Sequence, residues 1–93
     1  MDLDPYAREK IGLAADALKG RGSKREKLQK VATRTLSAVF AKDFPDHLRS
    51  QWEEIHSALT QRGKVSETVD AMTEAEASEI ARKIIALDAL IGD

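Results

Sequence analysis

Residues 23 to 42, SKREKLQKVATRTLSAVFAK, constrain the fold more than any other stretch of the chain. Leu28, Val31, Ala32, Leu36, Val39 and Phe40 recur three and four positions apart. That spacing gathers them into one apolar stripe about 100° wide on a helix. Ser23 with Glu26 three residues later is a capping-box signature, in which hydroxyl and carboxylate each satisfy a free backbone N–H. The other face of the first turns is basic, with Lys24, Arg25, Lys27, Lys30 and Arg34. Such a helix has a dry side that needs a core and a charged side left for something else.

The flanking segments repeat the pattern. Asp4 followed by Pro5 opens a helix, and Ala7, Ile11, Ala14, Ala15 and Leu18 line its face up to Gly20. Gly20-Arg21-Gly22 is then a tight connector. Pro45 disfavours helix at Phe44, which should pack back as an apolar anchor. Leu48, Trp52, Ile55 and Leu59 form a third stripe, closed by Gly63. Residues 63–72 read either as a short helical turn from Ser66 or as an extended connector. Thr73 with Glu76 is a second capping box, followed by Ala77, Ile80, Ala81, Ile84, Leu87 and Ile91. Ile85 and Leu90 widen this last stripe, so the final helix should be contacted from two sides, with a second copy of the protein as the candidate for one of them.

Residues 1–93 therefore read as a single all-α domain with helices over about 4–19, 23–42, 46–62 and 73–91. The expected architecture is a small four-helix bundle of antiparallel helical hairpins, which homo-oligomerisation would complete. Its core should hold Ile11, Leu18, Leu28, Leu36, Val39 and Phe40 from the first half. Leu48, Trp52, Ile55, Leu59, Ile80, Ile84 and Leu87 should join them from the second. With only four aromatic residues in 93, that core must be mainly aliphatic.

Charge is separated along the chain. Residues 19–34 carry Lys19, Arg21, Lys24, Arg25, Lys27, Lys30 and Arg34 against Glu26 alone, a net of +6. Residues 65–93 carry seven carboxylates against Arg82 and Lys83, a net of −5. Such asymmetry steers partners and lets two copies attract one another. There is no cysteine, which excludes disulfides and thiolate chemistry. No apolar run reaches membrane-spanning length, and the N-terminal MDLDPYAREK is not a signal peptide. The expected protein is soluble and cytoplasmic.

Catalytic constellations are missing. Glu53-x-x-His56 has the spacing of di-iron carboxylate helices, but those sites need two such pairs and two more glutamates. No serine sits in a Gly-x-Ser-x-Gly setting. No catalytic residue, metal or cofactor is assigned, and the chain reads as non-enzymatic. The basic set of Lys19, Arg21, Lys24, Arg25, Lys27, Lys30 and Arg34 is the candidate partner- or anion-binding site, centred on the helix start after Gly22. The same residues define a nucleic-acid alternative. A helix-turn-helix fits poorly, because the second helix is too long and too apolar in its second half. Trp52, flanked by Arg49 and His56, belongs to the core or forms a partner hot spot.

FPDHLRSQWEEIHSALT (residues 44–60) and ETVDAMTEAEASEIARKIIAL (residues 67–87) resemble a pattern of small uncharacterised bacterial all-helical proteins. The resemblance covers about half the chain and implies a bacterial soluble protein without an assigned activity. The function expected is a small protein-interaction module or accessory subunit of a bacterial assembly, using the basic helix face and apolar helix contacts. Its rivals are nucleic-acid binding through residues 19–34 and an immunity- or antitoxin-type inhibitor of a toxic partner.

Overall fold

Asp4 accepts the Tyr6 N–H at 2.8 Å and Pro5 takes the first helical position, so α1 spans Pro5–Lys19. A computed structural model describes residues 3–92; Asp93, counted in the acidic segment, lies outside them with Met1 and Asp2. Among the described residues the chain is all-helical, with five α-helices and no strand. After α1 come α2 (Lys24–Lys30), α3 (Asp46–Leu59), α4 (Val65–Asp70) and α5 (Glu74–Gly92). Gly22 turns the chain between α1 and α2 at φ +104°, a left-handed conformation that side chains disfavour. Gly63, at φ +93°, does the same between α3 and α4.

The expected helix over 23–42 is broken. Its α-helical part ends at Lys30 and continues as a π turn over Val31–Thr35 and a 3-10 turn over Leu36–Ala38. Thr33 Oγ1 donates to the Gln29 carbonyl at 2.7 Å, and the Leu36 N–H reaches back to Val31. Threonine, serine and valine dominate VATRTLSAV, and their side chains compete with or crowd the regular helical ladder. Val39 and Phe40 are then extended (φ −105°, ψ 132° and φ −126°, ψ 154°). Successive side chains in extended backbone point to opposite sides. Val39 is accordingly buried, while Phe40, expected in the core, is 55% exposed. Every other residue of the expected core is buried.

The turn after Phe40 is pinned locally. Phe40 N–H donates to Asp43 Oδ2 (3.0 Å), and the Ala41–Asp43 3-10 turn leads to Phe44. Phe44 packs back as expected, fully buried and stacked on Trp52 at 5.5 Å. The Pro45 carbonyl accepts the N–H groups of Leu48 and Arg49, which starts α3. The segment 63–72 resolves as helical, from Val65 rather than Ser66.

α5 is the central rod, packed by α1, α2 and α3 of the same chain. Of the two residues that widen its stripe, Ile85 packs partly buried against the core and Leu90 is 52% exposed. Alanines on both α1 and α5 (Ala7, Ala14, Ala77, Ala81) are buried and allow the two helices to approach closely. A radius of gyration of 12.2 Å is that of one folded body of this length, about 12 Å. No helix among the described residues is long and apolar enough to cross a membrane.

Candidate functional site

The basic segment does not form one uniform face. Lys24 turns inward: its ammonium donates to the Leu18 and Gly20 carbonyls and so caps the C-terminal end of α1. Lys27 lays its ammonium over Gly20, where a Cβ would stand 2.9 Å from Nζ. That nitrogen is shielded from solvent and has no hydrogen-bond partner. Loss of hydration, and then the neighbouring Lys24 charge, pull its pKa below the ordinary lysine value. Lys19 pairs loosely with Asp16 at 3.9 Å. Arg21, Arg25, Lys30 and Arg34 are exposed and form no ion pair among the described residues.

The start of α2, the expected anion site, already holds a carboxylate of this chain. Ser23 Oγ accepts the Glu26 N–H (3.2 Å) as a cap should, but Glu26 does not complete the box. Glu74 from the start of α5 instead takes the next free N–H groups of this helix end. Its carboxylate accepts Ser23 Oγ–H at 2.7 Å, Lys24 N–H at 3.1 Å and Arg25 N–H at 2.8 Å. The Arg25 backbone and Ser23 hydroxyl bonds hold the Glu74 carboxyl below the usual carboxylate range. Acidic and basic segments therefore meet within the molecule, at the junction of α2 and α5. The Thr73–Glu76 box of α5 is complete, with bonds of 2.9 and 3.1 Å, and those bonds lower the Glu76 pKa in the same way.

What remains outside is a groove of about 440 Å³ between α2 and α4. Arg25 and Lys30 supply two cations to its lining, Glu26 and Asp70 supply two carboxylates, and Val69 is apolar. Gln29 bridges the helices by donating to the Ser66 carbonyl (3.1 Å) and Asp70 Oδ1 (2.9 Å). The arrangement offers fixed charges of both signs, with Val69 sealed beneath them.

The expected hot spot of Arg49, Trp52 and His56 is divided by the fold. Trp52 is 2% exposed and belongs to the core. It forms part of the lining of a crevice of about 220 Å³, with exposed His56 and Phe40 beside it. Arg49 is a fastener rather than a contact residue. Its guanidinium donates to the Ala41 carbonyl (3.1 Å), the Phe44 carbonyl (2.9 Å) and Asp46 Oδ1 (2.8 Å). An arginine in the first turn of a helix that follows an irregular stretch is near main-chain carbonyls with spare acceptor capacity, and that was the available signal. Glu53 and His56 gain no third ligand: among the described residues no group of three His, Cys, Asp or Glu side chains is placed to hold a metal. Comparison with protein-family models, curated proteins and solved structures finds no match.

Proposed function

We propose that this chain is a small non-enzymatic protein-interaction module, an accessory subunit in a bacterial cytoplasm, that binds an oppositely patterned protein through the α2–α4 groove. The carrying observation is the mixed charged lining of that groove, Arg25 and Lys30 beside Glu26 and Asp70. A protein surface can match charges of both signs. A polyphosphate backbone presents one sign only and is repelled by half of this lining. The start of α2, which a recognition helix would press into a nucleic-acid groove, carries the Glu74 carboxylate. A toxic enzyme held by its cognate inhibitor is one partner of the class that fits.

The test is affinity capture from the source cell with the parent chain and with Arg25→Glu/Lys30→Glu. A protein retained by the parent and lost by the double variant supports the assignment. Recovery of nucleic acid instead, with a gel shift at about 50 mM salt that weakens steeply as salt rises, would replace it by the rival.

A further inference from the structure

We propose that two copies of this chain form a closed dimer in which each inserts Phe40 into the groove between α1 and α5 of the other. Phe40 is the most exposed of the large apolar side chains among the described residues, at 55%, and the Lys42 ammonium sits 5.8 Å from its ring centre. The projecting group is thus an aromatic face carrying a cation. The α1–α5 groove has the opposite character. It is a shallow, open depression of about 500 Å³, with exposed Leu13 on its lining beside Gly12 and the buried Ile91. Its charged lining is Glu9, Asp16 and Asp88 against Arg8 alone. Apolar ring and floor match, and so do the Lys42 cation and the acidic rim.

The two features are neighbours on one molecule. The Asp4 N–H donates to the Asp43 carbonyl at 3.0 Å, which ties the turn bearing Phe40 to the start of α1. A two-fold axis between the copies would let each ring meet the other's groove, so that both insertions close one dimer. The contact is distinct from the α2–α4 groove, whose partner binding does not depend on it.

Sedimentation from micromolar to near-millimolar concentration tests the assignment. The apparent mass should rise from 10.3 kDa toward twice that value. Phe40→Ala and Leu13→Asp should each weaken association about tenfold or more, with helical circular dichroism unchanged because both side chains are exposed. Lys42→Glu should weaken it as well, and Glu9→Lys in the same chain should restore it. A parent chain that stays monomeric throughout overturns the proposal. So does a dimer indifferent to Phe40→Ala, or one that Phe40→Ala breaks but Leu13→Asp does not. Absence of the Glu9→Lys rescue overturns the acidic rim as receptor. Partner capture by the parent chain survives each of these failures if the α2–α4 reading is right.

Discussion

α5 and the segment from Val31 to Asp43 both deliver buried side chains to one core, and they do so by opposite means. In α5 a complete Thr73–Glu76 box starts a helix of 19 residues, and alanine, leucine and isoleucine hold its period to the end. Local preference and tertiary packing agree there. In Val31–Asp43 the period is lost within two turns, and the backbone passes through π, 3-10 and extended forms before reaching Phe44. Leu36 and Val39 still arrive buried, at 4% and 3% exposure. Apolar burial selects which side chains go inward, while small polar and β-branched neighbours decide what backbone carries them.

The hardest way to break this contrast is through Trp52, which stacks on Phe44 at the end of the irregular segment and is buried on α3. Trp52→Ala removes the largest buried side chain and should cost about 3–5 kcal/mol in urea unfolding. Against a total of about 5–15 kcal/mol for domains of this kind, that leaves a marginal fold. An intact cooperative transition with little loss would mean that the two regions are not joined through this ring. Next comes Arg49. Arg49→Ala strips partners from the Ala41 and Phe44 carbonyls and should cost about 1–3 kcal/mol. Hydrogen exchange should quicken over residues 40–45 and stay slow in α5. Arg49→Lys should rescue little, since one ammonium cannot reproduce the three-way fork.

The same contrast explains what the sequence made legible. α1, α3 and α5 could be read because their caps and stripes lie within a few residues of each other: Asp4 with Tyr6, Thr73 with Glu76, Leu48 through Leu59. The inward set was also readable in the broken segment, because Leu28, Val31, Leu36 and Val39 are apolar whatever backbone carries them. Phe40 was misplaced because a helical period was carried across Thr33, Thr35 and Ser37. The candidate site was harder to read. Ser23 was recognised as a cap, but its carboxylate partner Glu74 is 51 positions away, and spacing rules reach only a turn. Lys24 and Lys27 counted as free cations because the spacing that ends α1 at Gly20 does not show that their side chains fold back over that end. The α2–α4 groove exists only once Asp70 and Gln29 are brought together.

A smaller effect sharpens the comparison at its junction. Glu74 joins the regular helix to the broken one, and its folded pKa is lowered by the bonds it accepts. A carboxyl lowered in this way adds stability above its unfolded pKa of about 4.3, and the contribution is lost as pH falls through the lower folded value. Glu76 and Glu79 are lowered in the same direction, the latter chiefly by its bond with Arg82. Stability should therefore decline on acidification below the ordinary carboxylate range. Glu74→Gln should lower neutral-pH stability by less than Arg49→Ala does and flatten the acid limb of the profile. A variant with the parent's slope would show that the contact between α2 and α5 carries no linked proton.

The finest test asks what sets the π turn. Thr33 gives its hydroxyl to the Gln29 carbonyl at 2.7 Å, two residues past the start of the turn at Val31. If this bond drives the departure from α-helix, Thr33→Ala should restore regular bonding through Arg34, and amide exchange at Leu36 should change. Threonine and alanine differ by up to about 0.7 kcal/mol in helix propensity, so the net stability change should be a few tenths of a kcal/mol in favour of alanine. If the turn persists, burial of Leu36 and Val39 is imposing it, since a continuous helix would bring Phe40 onto the stripe and displace what now packs there. An exchange pattern unchanged at Leu36 would assign the break to the core rather than to the threonine, and local side-chain competition would drop out as its cause.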